Sequence, residues 1–424
     1  MRIRSLLLLI ASVGCGTGHA PVAIADGGDR GVMPEDAAGR EGEALEDAGQ
    51  GDSGPKDGTD VGWSPPTCAT SGSALPNSAP SLTPGIWKDI SPAGVNFAGE
   101  PGNTPFTQGI AIDPCNPATI YVTVSCFDTT LSAVWRTTDA GSSWTKVGKF
   151  DAPVRVRVDP QNPLHLYVGD GVRGGTTGFW VSNDGGATWT MPANFKALNN
   201  ANPKIYDLDV YDVATEPSDF NHVLVSFHGA WGWTDTKWNA SSGVFESKDG
   251  GQSWIVHAPA GNWGTGHGVW FLNNSSTWLL GTQGQGFWRT TDAGNTWSQV
   301  TTINLSHGGG QVYYTKARVL YAASSNGVIR STDDGATWTQ VGTVNFVTSV
   351  YGDGNRLYTH HAYSGGAAPF FTSPETDGTT WTAYDGGAQM VTDGPFEMAF
   401  DSENGILYSG NWGNGVLALK VFGR

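Results

Sequence analysis

Thr137-Thr138-Asp139-Ala140-Gly141-Ser142-Ser143-Trp144 recurs as Ser182-Asn183-Asp184-Gly185-Gly186-Ala187-Thr188-Trp189 and again as Ser247-Lys248-Asp249-Gly250-Gly251-Gln252-Ser253-Trp254. Further copies occupy residues 290–297 and 331–338, and a degenerate sixth, one residue longer, spans 373–381. Each copy lies between β-rich runs, as Ala133-Val134-Trp135-Arg136 and Thr145-Lys146-Val147 flank the first, so the repeat reads as a hairpin turn between two outer strands of a small sheet. The Asp is suited to accept N–H bonds inside the turn, the Gly to supply a positive φ, and the Trp to pack between neighbouring sheets. One active site does not need the same carboxylate in five repeats, so these Asp residues read as turn staples rather than catalytic acids.

The motif resembles the Asp-box repeat, Ser/Thr-x-Asp-x-Gly-x-Thr/Ser-Trp, of sialidase-like and xyloglucanase-like β-propellers, and the likeness covers residues 85–424. The box tryptophans are spaced by 45, 65, 43, 41 and 43 residues, and another 43 follow Trp381, room for one more blade short of its last strand. Gly85-Ile86-Trp87-Lys88-Asp89-Ile90 resembles the strand that follows each box and is expected to complete that blade. The expected fold is therefore all-β: a seven-bladed β-propeller of four-stranded antiparallel blades, closed by its N-terminal strand. Such a ring leaves few exposed strand edges. Ile110-Ala111-Ile112 and Val156-Arg157-Val158 each run into an Asp-Pro-x-Asn-Pro turn, which sets the register of the inner strands.

Composition excludes other classes. The 60 glycines follow no three-residue period, and with only 15% charged residues the chain is neither collagen nor coiled coil. A net charge of −16 argues against a nucleic-acid surface, which needs a basic stripe. Residues 21–66 hold eleven Asp and Glu against Arg30, Arg40 and Lys56, with one aromatic residue, too little apolar surface to offset chain entropy. The expected organisation is a secretion signal at 1–20, a disordered acidic linker at 21–84 and the propeller at 85–424.

Arg2 and Arg4 precede the apolar run Leu6-Leu7-Leu8-Leu9-Ile10, which is too short to span a bilayer. The small residues before Cys15 resemble a bacterial lipobox, which implies lipidation of Cys15 and a lipoprotein at the outer membrane or cell surface. Ordinary cleavage after Ala20 is the alternative and implies a secreted protein. Membrane contact is expected only through that lipid, and the propeller is expected to be a monomer. Cys68, Cys115 and Cys126 allow one disulfide, expected between Cys68 and Cys115, and have no zinc-type spacing.

Candidate chemistry gathers on the face where inner strands begin. Two overlong intervals put insertions there, residues 227–238 and a loop near 97–106 that contains Glu100. His228, His267, His307 and His360 fall in consecutive blades among glycines that permit close approach of a ligand. With Asp207 and Tyr363 they are the candidate catalytic residues, with Tyr206 as another acid. Trp231, Trp233, Trp412, Arg173 and Glu397 are candidate substrate-binding residues, because flat aromatic surfaces stack on sugars. Trp238 and Trp263 are placed in the same loops, while His165, His222 and His257 read as structural. No cofactor is expected, apart from a metal that the histidines could hold. Asp128 and Asp170 lie between second and third strands, where the xyloglucanase-like resemblance implies a catalytic Asp. The sialidase arginine motif, Phe/Tyr-Arg-Ile-Pro, does not occur. The expected partner is a polysaccharide or glycan, cleaved by hydrolysis or β-elimination as by a glycosidase or polysaccharide lyase. The alternatives are a non-catalytic glycan- or protein-binding propeller and an assembly factor.

Overall fold

The computed structural model describes residues 74–422 except 98–104, 126–129, 172–173, 202–207, 231–240, 307–309, 343, 345–346, 362–367, 385, 387–393 and 413. Seven antiparallel sheets follow one another along the chain. Their inner strands are Phe106–Ile112, Pro153–Val158, Val210–Glu216, Thr265–Phe271, Val312–Tyr314, Val347–Gly352 and Pro395–Asp401, for blades 1 to 7. The expected seven-bladed propeller is the observed fold.

The N-terminal strand Trp87–Asp89 pairs with Gly415–Lys420, Trp87 opposite Leu419, and so becomes the outer strand of blade 7. Trp87 stacks on Phe370 of blade 6 at 4.4 Å, while the Ile90 carbonyl accepts the Trp144 indole N–H of blade 1 at 2.7 Å. Three residues of strand thus hold together the two ends of the ring.

The repeated turns share one bonding pattern. Asp139 Oδ1 accepts the Thr137 hydroxyl at 2.7 Å and the Ser143 N–H at 2.8 Å, and its Oδ2 accepts the Ser143 hydroxyl at 2.6 Å. The Thr137 hydroxyl oxygen in turn accepts the Gly141 N–H at 2.9 Å. Asp184, Asp249, Asp292 and Asp333 bond in the same way. Two consecutive positions take positive φ, not the glycine alone: Ala140 at 57° precedes Gly141 at 100°, and Asp334 at 58° precedes Gly335 at 79°. The side-chain bonds hold a left-handed conformation that a non-glycine residue otherwise avoids.

Blade 2 departs from the four-stranded pattern. Its fourth strand is reduced to one bridge, Val181 to Thr190, and the helix Ala193–Ala201 follows. Phe195 of that helix is buried against Phe179, Phe245 and Trp254 in the seam with blade 3. The 65-residue interval from Trp189 to Trp254 therefore contains a helix, while most of the insertion expected at 227–238 lies outside the described residues.

Cys115 is disulfide-bonded, and Cys15, Cys68 and Cys126 lie outside the described residues. Cys115 sits in the turn before the strand Ile120–Ser125, whose other end, Ser125, directly precedes Cys126. Six strand residues span about 20 Å, against roughly 4–7 Å between the Cα atoms of a disulfide. The Ser78 carbonyl accepts the Ser142 hydroxyl of the first box, which places Ser78 at the Cys115 end of blade 1. Non-reducing peptide mapping is expected to recover Cys68 linked to Cys115; a Cys115–Cys126 peptide would refute this. A chain starting at residue 95, deprived of the closing strand, is expected to melt at a lower temperature and less cooperatively than one starting at residue 67.

Candidate functional site

Arg155 and Arg157 alternate with valines on the inner strand of blade 2, so both guanidiniums reach the propeller axis. Arg155 Nε donates to Asp212 Oδ1 of blade 3 at 3.0 Å, and its Nη1 donates to the Gln108 carbonyl of blade 1 at 2.8 Å. Arg157 donates to Glu397 of blade 7 at 2.8 Å, to Asp212 at 3.4 Å and to the Val213 carbonyl at 2.8 Å. Backbone donors complete the carboxylates: Ile110 N–H to Glu397 Oε2 at 2.9 Å and Val269 N–H of blade 4 to Asp212 Oδ2 at 3.2 Å. Gln311 of blade 5 accepts from Ser349 of blade 6 and from the Met398 N–H of blade 7, both at 2.7 Å. All seven blades contribute to this polar axis.

Arg155 and Asp212 are each only 1% exposed, while Arg157 is 22% exposed. Burial disfavours the Arg155 guanidinium, but the charges of Asp212 and Glu397 outweigh it and raise its pKa. Burial and the Glu397 charge push the Tyr351 phenol up to about 12. Glu397, expected on the rim, is instead 4% exposed, with both oxygens engaged by Arg157 and Ile110. An inner-strand carboxylate turns inward to meet the arginines across the ring.

Above the axis, where the inner strands begin, blades 3 and 4 bring together His228, His267, Tyr211 and Asp209. Asp209 immediately precedes its strand and His228 follows the strand Asp219–Phe227, so Phe227 pairs opposite Val210 and the two flanking residues meet. His228 Nδ1 lies 3.2 Å from Asp209 Oδ2, and the His228 N–H donates to the Asp209 carbonyl at 3.0 Å. The His228 and His267 rings stack at 5.2 Å, and Tyr211 lies 5.0 and 4.8 Å from them. Thr265 Oγ1 is 3.2 Å from His267 Nε2, and Gln108 donates to the Tyr211 hydroxyl at 3.4 Å. Asp209 presses on Gly171 of blade 2, where a Cβ would stand 2.6 Å from Oδ1. Beside it, burial pushes the Asp170 carboxyl up to about 7, against the lowering effect of its hydrogen bonds, among them the Ala152 N–H to Oδ1 at 2.9 Å.

Across the same face, Trp412 stacks on Phe106 at 4.3 Å and 8° and meets Phe396 at 4.8 Å. His360 stands in a different setting, fully buried in blade 6, with Nδ1 2.5 Å from the His361 carbonyl and Nε2 2.9 Å from the Ala368 carbonyl. Burial holds its pKa below the ordinary histidine value. Trp263, expected in a face loop, is core, packed on Trp288 and Trp297 at 6.1 and 5.2 Å. Asp207, His307, Tyr363, Trp231, Trp233, Arg173, Tyr206, Trp238, Glu100 and Asp128 lie outside the described residues. Among the described residues no group of three or more His, Cys, Asp or Glu is arranged to hold a metal. Sequence reasoning passed over Tyr211, Asp209 and Asp212. Their signal was the Asp-x-Tyr-Asp run at a strand start, which only cross-blade contacts make meaningful.

Residues 264–397 match the family model of the DUF6242 beta propeller domain. A xyloglucanase of Hypocrea jecorina (strain QM6a) is 26% identical over 252 residues, 52% of this chain and 30% of that protein. A xyloglucanase of Paenibacillus sp is 30% identical over 173 residues, 35% of this chain and 16% of that protein. This chain thus spans less than a third of the length of these curated relatives. Among solved structures, YCF48 bound to D1 peptide superposes with a TM-score of 0.52 at 15% identity, covering 82% of this chain and 100% of that one. An ancestral GH74 enzyme gives 0.53 at 17%, covering 78% and 45%. The chain is a seven-bladed β-propeller. At these identities the solved structures speak for the fold alone.

Replacing Asp212 by Ala leaves Arg155 buried without its counter-charge, which costs about 3–5 kcal/mol for a pair of this kind. Denaturant unfolding of this variant is expected to show a loss of that size.

Proposed function

We propose that this propeller is an exported, carbohydrate-active protein that engages a polysaccharide on the face where its inner strands begin. The observation that carries the reading is the Asp209–His228 pair, stacked with His267 and Tyr211 at the seam of blades 3 and 4. A carboxylate on Nδ1 fixes the orientation of an imidazole and leaves the geometry of a general acid or base. Trp412, laid flat on Phe106, supplies an aromatic surface of the kind that stacks on sugar rings. Partial similarity to two xyloglucanases supports a glycan over other ligands.

His228 is the proton-transfer group in this reading, Asp209 orients it, and His267 and Tyr211 position its ring. Asp170, pushed up to about 7 by burial at the end of the strand Leu166–Asp170, is fully buried and supports the floor of the face rather than touching the ligand. Glu397 supports the axis beneath rather than touching the ligand. His360, buried on backbone carbonyls, has no part in proton transfer. Asp207, His307, Tyr363, Arg173, Trp231 and Trp233 belong to the same proposed face by their place in the sequence. The signal at the N-terminus supports export, with the lipid on Cys15 as the anchor and the acidic linker as spacer.

A second reading, binding without cleavage, draws on the 1% exposure of both His267 and Tyr211, which leaves His228 the more accessible member of the cluster. Incubation with a panel of neutral and uronic-acid polysaccharides separates the readings. New reducing ends alone indicate hydrolysis, reducing ends with ultraviolet absorbance indicate elimination, and retention in affinity electrophoresis without either indicates binding. His228→Ala is expected to lower turnover by about a hundredfold or more with little change in melting temperature. Full activity of that variant on the ligand so identified rejects the face.

A further inference from the structure

The opposite end of the seam between blades 3 and 4 carries a second group of titratable side chains. His222, on the strand Asp219–Phe227, has Nδ1 2.6 Å from Glu216 Oε2 and Nε2 2.9 Å from Glu246 Oε1. The other oxygen of Glu246 is 3.0 Å from Nε2 of His257, whose Nδ1 is 3.2 Å from the carbonyl of Gly294 in the box turn of blade 4. Both imidazoles and both carboxylates are largely buried. The exposed ammonium of Lys248 adds a contact to Glu246 at 3.2 Å. From blade 4, the rings of Phe271 and Trp278 pack on His222 at 4.7 and 6.2 Å, and Trp278 packs on His257 at 5.2 Å. The groups facing the two imidazoles are therefore Glu216 and Glu246, with Lys248 behind Glu246, from blade 3, and the Gly294 carbonyl and two aromatic rings from blade 4.

Each of these imidazoles meets an acceptor at both nitrogens. A neutral imidazole has one N–H and directs a lone pair from its other nitrogen, so in that state one contact on each ring sets a lone pair against an oxygen. Only the imidazolium form donates to all four oxygens. We propose that His222 and His257, joined through Glu246, form a clamp that fastens blade 3 to the box turn of blade 4 and slackens as His222 loses its proton.

The electrostatics agree with that geometry. Burial disfavours the His222 imidazolium, but the hydrogen bonds and charges of Glu246 and Glu216 outweigh it and raise its pKa above the ordinary 6.5. Burial likewise works against the Glu246 carboxylate, yet His222, His257 and Lys248 hold it down at about 2. A histidine whose pKa rises on folding adds stability that is complete below its unfolded value and is lost as pH climbs through the folded value. The Glu246 contribution is complete above its unfolded value of 4.5 and is lost only as pH falls toward about 2. The clamp is thus tightest between about pH 4.5 and 6.5 and is released on the alkaline side.

His267 and Phe271 stand on one strand, Thr265–Phe271, and His222 stands on another, Asp219–Phe227, which His228 directly follows. The clamp stands whether or not the upper face binds a glycan.

Side-chain NMR titration of His222 in the folded protein, with thermal and denaturant unfolding from pH 6 to 9, tests this on wild type, His222→Gln, His257→Gln and the double variant. His222 is expected to titrate above 6.5. The unfolding constant of wild type is expected to rise by up to about tenfold per pH unit for each proton lost across that window, with a shallower slope in each variant. Titration of His222 at or below 6.5 in wild type overturns the clamp, as do identical slopes in wild type and double variant. The titration needs only the wild-type chain, so a variant that fails to fold leaves the test intact.

Discussion

Two guanidiniums on one inner strand, aimed at the centre of a ring of sheets, require counter-charges from other blades. Asp212 answers from blade 3 and Glu397 from blade 7, and the remaining contacts draw in backbone groups of blades 1, 3 and 4. Gln311 joins blades 5, 6 and 7 in the same manner. Each blade buries its faces only against its neighbours, so apolar packing acts locally around the ring. The axial network links blades that share no seam, such as 2 and 7. A half-satisfied network of buried charge is worse than an apolar core, so the blades must close in one register for every partner to be present.

That constraint gives the face above its geometry. Tyr211 and Asp212 are neighbours on one strand, one packed on the histidine pair and the other on the arginines, so the register that seats Asp212 also places Tyr211 against both His228 and His267. Glycine at 171 lets blade 2 approach Asp209 closely enough to complete the group. The site is built from strand ends, which are held by sheet hydrogen bonds, and this gives it a rigid floor. At the other end of the same seam, the histidines and glutamates of blade 3 tie the strands to the neighbouring box turn.

Partial similarity to long xyloglucanases and overall superposition on YCF48 fit a fold that serves several purposes. In such a fold the scaffold residues repeat and the site residues do not. The box Asp, Gly and Trp return in successive blades, while among the described residues an Asp–His pair like Asp209–His228 occurs on this face only at the seam of blades 3 and 4. The departure of blade 2, which exchanges its fourth strand for a helix, also falls beside that seam and packs Phe195 against Phe245 of blade 3.

The sequence by itself determined the number of blades, the hairpin turns and the closing strand, because each depends on bonds between residues a few positions apart or on a repeat that can be counted. Ser/Thr, Asp and Gly at fixed spacing close the same turn wherever they occur, and Trp87 followed by two polar residues matches the strand after each box. Only the tertiary structure decided which non-repeating residues meet. Glu397 lies 240 residues from Arg157, and only the closed ring brings it off the expected rim to within 2.8 Å of that arginine. Trp263 was placed in a face loop and proved to be core, because its burial depends on Trp288 and Trp297 of blade 4. His222 and His257, expected to be structural, share the carboxylate of Glu246, a partner that spacing along the chain does not reveal. Local bonds are written in short sequence windows, whereas contacts across an axis or a seam depend on the rotation of one sheet against another, which no short window contains.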